Sequence, residues 1–282
     1  MFCKTLMPGP ALQEFVRNYK ILHLKFNTGY PIPFKYRPPK TEQGIVFYIT
    51  GSVNLQDVNS GTIQTPAPVS VFSHQTDKKR FRVTSEFCMF TIFLQAGVLH
   101  RLVGFPIADL NQSYHDAELF FGAGVKTVTE QLAEAPDYLS MVPIVENFLL
   151  AKFKSLQMRT AVDEIANYLL ADPVSFSLDN IAQEACLSTK QFYRKFVERI
   201  GLSPKFYSRV ARFNHAYQYK VRHPNVFWSS IAQSFGYTDY HHLEKEFKEF
   251  TGLTPNEWIT ENLGAPEKIL RQQQECLFST QS

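Results

Sequence analysis

The sequence predicts an α+β protein of two domains, an antiparallel β-domain carrying helices followed by an all-α domain of two helix-turn-helix units joined by a long helix. Three observations lead there. Up to about Leu94 the chain runs in short β-prone stretches separated by Pro, Gly and Asn. Beyond Gly97 the apolar residues recur at helical spacing. The last third then repeats itself at a shift of 50 to 51 residues.

The length of 282 residues suits two domains, and 44% hydrophobic with 14% aromatic residues describes a chain with ample core. The β-prone runs are 45–49, 69–72, 81–84 and 87–94; their alternation is too loose to separate a barrel from a sandwich. Helical segments are expected at 98–103, 125–133 and 144–153, closing a first domain at 1–155. Met158, Val162, Ile165, Ala166, Leu169 and Leu170 then mark a helix that Asp172 and Pro173 stop. It opens a second domain at 156–262, with helix-turn-helix units at 178–200 and 230–251, followed by a tail at 263–282 containing at most a short helix.

In the repeat, Ile181, Ala182 and Gln183 return as Ile231, Ala232 and Gln233 at a shift of 50. After the turn the shift becomes 51: Phe192 matches Leu243, Phe196 matches Phe247, Gly201 and Leu202 match Gly252 and Leu253, Pro204 matches Pro255, and Tyr207 matches Trp258. Each copy reads as a short helix, a tight turn and a longer helix. Ser177 is the expected cap of the first, and Ser229 or Ser230 of the second. In the first turn Cys186 stands where the second has Gly236, so a residue with a side chain has to accept a left-handed conformation. Gly201 and Gly252 end the long helices, and Ser203-Pro204 and Thr254-Pro255 begin the next, Thr254 forming a capping box with Glu257. Lys205 to Arg222 should form one helix, buried through Phe206, Val210, Phe213 and Tyr217.

Net charge is only +3, but its distribution is uneven. From Pro173 to Arg222 nine basic residues stand against three acidic ones; from His223 to Asn262 two basic residues stand against six acidic ones. On the first long helix Phe192, Phe196 and Ile200 form an inner face, and Lys190, Tyr193, Arg194 and Val197 an outer one. A basic helix presented this way fits the major groove of DNA, where Arg or Lys pairs with guanine, so Lys190, Tyr193 and Arg194 are the expected base readers. With a rigid connecting helix, the two units would enter successive major grooves, about 34 Å apart.

The segments IAQEACLSTKQFYRKFVERIGLSPKFY and IAQSFGYTDYHHLEKEFKEFTGLTPNEW, with GxSP and GxTP endings, make residues 158–262 resemble the DNA-binding domain of the AraC/XylS family of bacterial regulators. The resemblance places base contacts on Lys190, Tyr193 and Arg194, and on Tyr240, His241, His242, Glu244 and Lys245. Phosphate contacts are expected at Ser177, Ser188, Arg209, Arg212, Thr238 and Lys248, with internal pairing to acidic residues an equal alternative for Arg209 and Arg212. PAPVSVFSHQ and LQAGVLHRLVGFPIADL resemble the cupin-like β sensor domains fused to this module. The implied partners are promoter DNA and RNA polymerase, with a small-molecule effector or a homodimer also compatible. Glu244 within the acidic segment opposes phosphate, so the first unit is expected to dominate affinity.

Other classes find little support. His74 stands apart, with no HxH in the chain, so neither metal nor cofactor is expected. Cys3, Cys88, Cys186 and Cys276 show no metal-ligand spacing and read as free thiols; no flanking residues activate one for alkyltransferase chemistry, so an enzyme is not expected. No stretch approaches the roughly 20 apolar residues that span a bilayer, and a cytoplasmic location is expected. His241 and His242, adjacent on a helix, point about 100° apart and share no site. Phe34, Tyr36, Phe47, Tyr48, Phe72, Phe81, Phe87, Phe90 and Phe93 either line an apolar ligand pocket or form core. A domain that binds only protein partners is the rival reading, favoured by the acidic second unit.

Overall fold

The computed structural model describes residues 1–26, 32–110, 113–154, 156–173 and 177–263; the expected short helix in the tail and Cys276 lie outside them. The chain forms β1 (Phe2–Leu6), β2 (Val16–Lys25), β3 (Lys35–Tyr36), β4 (Gly44–Thr50), β5 (Val53–Asp57), β6 (Ile63–Gln64), β7 (Val69–Phe72), β8 (Lys79–Val83) and β9 (Glu86–Leu94). Helix α1 (Val98–Val103), strand β10 (Tyr114–Asp116) and helices α2 (Glu118–Phe121), α3 (Gly124–Ala133) and α4 (Met141–Phe153) complete the β-domain. The C-terminal half is helical: α5 (Ala161–Ala171), α6 (Leu178–Glu184), α7 (Thr189–Ile200), α8 (Pro204–Arg222), α9 (Trp228–Ser234), α10 (Tyr240–Thr251) and α11 (Pro255–Leu263).

All strand pairs are antiparallel, in a six-stranded sheet ordered β1-β2-β9-β4-β7-β10 and a four-stranded sheet ordered β3-β8-β5-β6. Period-two alternation on β4 explains how one sheet serves two cores. Ile45 and Phe47 face the helices α1, α3 and α4, whereas Val46 and Tyr48 face the second sheet. The antiparallel β-domain with helices and the all-helical second domain are thus as the sequence predicts, with two facing sheets. Strand β2, which the sequence reading missed, is the longest and pairs with both β1 and β9; Arg17, Asn18 and Lys20 interrupt its apolar pattern, and a register shift falls between Val16 and Asn18.

Two helix starts differ from expectation. Helix α5 begins at Ala161 because Thr160 and Asp163 form a capping box, which leaves Met158 outside and 88% exposed. Helix α9 begins at Trp228, before Ser229 and Ser230, with Phe227 in the cap position. Trp228 is buried against Phe247 at 5.2 Å between ring centroids, and that packing outweighs the missing hydroxyl cap.

Asp163 has a second task. Its carboxylate is fully buried and receives Arg199 Nε at 2.8 Å and Nη2 at 2.6 Å, tying α5 to the back of α7. Gly97, at φ +82°, lies so close that a Cβ there would overlap this carboxylate. Asp163→Ala should therefore leave a buried guanidinium unpaired and cost about 3 kcal/mol in urea unfolding, whereas Arg199→Lys should lose the bidentate geometry but retain part of that stability.

Candidate nucleic-acid interface

Both repeat copies fold as short helix, turn and long helix, and the local signals operate as their chemistry requires. In the first, Ser188 Oγ accepts from Gln191 N and Gln191 Oε1 accepts from Ser188 N at 3.2 Å, a capping box at the start of α7. In the second, Asp239 caps α10 by accepting from His242 N at 2.8 Å. Gly201 and Gly252 end the long helices at φ +91° and +82°, and the Thr254–Glu257 box opens α11. Cys186 holds the left-handed conformation at φ +54°, matching Gly236 at +69°. Cys186→Gly should relieve this turn and raise stability by about 1 kcal/mol in thermal unfolding.

Phe192, Phe196 and Ile200 bury the inner side of α7 against Ile165, Leu169 and Tyr207. This leaves Lys190, Tyr193 and Arg194 exposed, Tyr193 at 48%. Gln191 and Lys195 share the exposed side and were not singled out from the sequence; their i, i+4 spacing beside the expected readers was the available signal. Among the described residues no carboxylate pairs with Lys190, Arg194 or Lys195. Ser177 occupies the cap position of α6 without a side-chain cap bond and is exposed, as is Ser188.

The second unit is electrostatically different. Leu243 and Phe247 are fully buried; His241 and Lys245 are exposed, while Tyr240, His242 and Glu244 are half-buried. Glu244 pairs with Lys248 at 3.2 Å and lies 3.9 Å from His241 Nδ1. Thr238 is exposed, its backbone N–H reaching His242 Nδ1 at 3.4 Å. Buried Glu246 accepts Arg209 Nε at 2.9 Å, Arg212 Nη2 at 3.0 Å and the Tyr237 hydroxyl at 2.7 Å, and Glu249 accepts Arg209 Nη2 at 2.6 Å. Arg209 and Arg212 thus pair internally across α8 and α10, the alternative left open for them. Two of the six acidic charges counted in this segment are answered by cations outside it, so the second unit is less acidic than its sequence implies. The sequence signal for Glu246 was its inward spacing, three residues after Leu243.

The β-domain reaches the first long helix. The Ile200 carbonyl that ends α7 accepts from Gln43 Nε2 at 3.0 Å and from His74 Nε2. His74, isolated in sequence, is therefore a buried structural donor whose ring also lies edge-on to Tyr207. Burial pushes the His74 imidazole down to about 4. A base whose folded value lies below its unfolded value of about 6.5 stabilises fully above that value and progressively less as pH falls toward 4. His74→Gln, which retains a donor, should therefore lose less stability than the wild type between pH 7.5 and pH 4.5 in urea titrations.

Among the described residues no group of three His, Cys, Asp or Glu side chains is placed to hold a metal, and no helix is long and apolar enough to cross a membrane. Cys3, Cys88 and Cys186 are free thiols, and burial raises the Cys88 thiol to about 11.

The family model described as a helix-turn-helix domain matches residues 181–261. Residues 181–261 are thus a helix-turn-helix domain. The chain is similar to the HTH-type transcriptional activator RhaR of Escherichia coli (strain K12), 31% identical over 100 residues, which are 35% of this chain and 35% of that protein. The match thus spans about a third of the length of these curated relatives. Among solved structures, ToxT from Vibrio cholerae O395 aligns over 90% of this chain and 100% of its own at 11% identity and a TM-score of 0.48. A Chromobacterium violaceum regulator described as containing an AraC-type DNA-binding domain aligns over 38% of this chain and 94% of its own, at 22% identity and a TM-score of 0.34. The matched helix-turn-helix domain begins within α6, and α5 packs on it through Ile165, Ala166 and Leu169.

A cavity of about 300 Å³ lies where the β-domain meets α8. Of the aromatics expected to form either pocket or core, Tyr36, Tyr48, Phe81 and Phe87 line it; Phe47 and Phe90 belong to the core under the helices, Phe72 packs between the sheets with Phe93 against it, and Phe34 lies under Arg82. Tyr217, Gln218 and Val221 of α8 complete its wall. Arg37 also lines it and donates to Tyr114 Oη and Gln75 Oε1; among the described residues no carboxylate forms an ion pair with it.

Proposed function

We propose that this protein is a sequence-specific transcriptional regulator that reads promoter DNA through α7 and α10 in successive major grooves. The observation that carries this is the outer face of α7, where Lys190, Tyr193 and Arg194 stand exposed while the opposite face is locked into the core. A helix held rigidly by one side and cationic on the other offers donors for guanine edges and phosphates at little ordering cost. In the second unit Tyr240, His241, His242, Glu244 and Lys245 are the corresponding readers. Ser177, Ser188, Thr238 and Lys248 are exposed, which suits the phosphate contacts assigned to them, whereas the ion pairs of Arg209 and Arg212 favour a bracing role for those two. Contact with RNA polymerase is what the family resemblance implies, a homodimer is compatible with it, and the mechanism is binding, not catalysis.

Selection from random duplexes at about 150 mM salt, followed by sequencing, tests this. Enrichment of a two-part motif is expected. Arg194→Ala should lose preference within one half-site and weaken binding about tenfold, and Lys245→Ala should weaken it less. Equal losses would remove the dominance of the first unit; failure to enrich any sequence, with binding insensitive to salt, would favour a domain that meets only proteins.

The cavity supports a small-molecule effector. Its size stands at the lower end of ligand sites. Largely apolar walls with the half-buried Arg37 guanidinium, hydrogen-bonded to neutral oxygens, and with Lys20 and Lys40 beside it suit an apolar molecule bearing one anionic group. Octanoate should raise the melting temperature, octanol should not, and Arg37→Ala should abolish the difference; equal effects of acid and alcohol would exclude this ligand class.

A further inference from the structure

The two helix-turn-helix units do not share a core. Ile181, Phe192, Phe196 and Tyr207 belong to one cluster; Val210, Phe213, Tyr217, Leu243, Phe247 and Trp258 belong to another. Helix α8 contributes to both, Tyr207 to the first and its later turns to the second. Nineteen residues make it about 28 Å long, and helices of that length bend.

A second connection exists outside the helix-turn-helix domain. Residues 35–43 of the β-domain run across the helical domain and touch it at successive points. Lys35 Nζ donates to Glu261 O on α11 at 3.5 Å, and the Tyr36 ring packs 5.8 Å from that of Trp258. Pro39 O accepts from Asn214 Nδ2 in the middle of α8 at 2.9 Å. Gln43, joined by His74, ends the run on Ile200 O of α7. Each core also takes in one β-domain side chain: Ala96 in the first, Tyr36 in the second. None of these contacts covers the exposed faces of α7 or α10.

We propose that segment 35–43, with His74, is a splint that fixes the angle between the two recognition helices, so that the β-domain sets the half-site spacing the protein accepts. This rests on the reading that both helices contact DNA. Gln43, His74 and Asn214 are positioning residues: they touch no base, and they act through α7 and α8. One added base pair turns the second half-site by about 34° and shifts it about 3.4 Å, so a splinted pair of helices tolerates one spacing and a hinged pair several.

Binding is measured with purified full-length protein on duplexes carrying the two selected half-sites at centre-to-centre spacings from about 8 to 13 base pairs, and on duplexes carrying one half-site. The wild type should favour one spacing about tenfold over its neighbours. Gln43→Ala/His74→Ala should narrow that preference to about threefold while changing single half-site affinity less than about twofold. Asn214→Ala, which removes one strap bond without opening the core, should narrow it in the same direction and serves where the double variant does not fold. A folded variant with the wild-type spacing profile overturns the splint. A wild type that recognises only one half-site overturns both the splint and the two-helix reading, and is seen before any variant is made.

Discussion

Helix α8 carries the constraint on which the C-terminal half depends, because one amphipathic surface has to serve two separate cores. Its first turns present Tyr207 to the unit built on α7, and its later turns present Val210, Phe213 and Tyr217 to the unit built on α10. Beside them the helix carries Arg209 and Arg212, which reach the buried Glu246 of α10. An ion pair with one buried partner contributes little net free energy once desolvation is counted, but its geometry is directional. Removing Glu246 would leave two guanidiniums beside a vacated interior site, so the network holds α10 in one orientation on α8.

The first unit is held differently. Its long helix is tied at the back by Arg199 to the Asp163 carboxylate, which also caps α5, and at its C-terminal end by Gln43 and His74 of the β-domain. The carbonyls at a helix C-terminus have no partner within the helix, and a buried one needs a donor from elsewhere. Here the donors come from residues more than 120 positions away. The same requirement explains why His74 stays neutral: burial disfavours the charged ring, and one N–H is enough for the carbonyl it serves. The first long helix and the β-domain are thereby joined through ordinary backbone satisfaction.

The local grammar of the helix-turn-helix half was legible in the sequence because its signals are short-range. Ser188, Ser203 and Thr254 accept from backbone three residues on, Gly201 and Gly252 take positive φ, and Cys186 stands in the left-handed position that Gly236 occupies in the other copy. These depend on neighbours within one turn, so residue type and spacing suffice. The apolar stripes of α7 and α8 were equally readable, since period 3.6 records which face is buried. The start of α9 was not, because a cap hydroxyl gains about 1 kcal/mol and a buried tryptophan more.

The sequence by itself determined the two-domain class, the duplicated unit and the side of α7 that faces outward, because periodicity and capping are local. Tertiary structure decided the partners of charge and of buried polar groups. Glu246 counted as acidity and Arg209 as a basic patch until the fold placed them 2.9 Å apart. His74 stood alone until Ile200 met it. β2 was hidden by Arg17, Asn18 and Lys20 until its neighbours on both sides supplied the hydrogen bonds that make it a strand. The physical reason is common to all three: long-range pairing is set by which surfaces meet, and a linear sequence records which surfaces are apolar without recording where they meet.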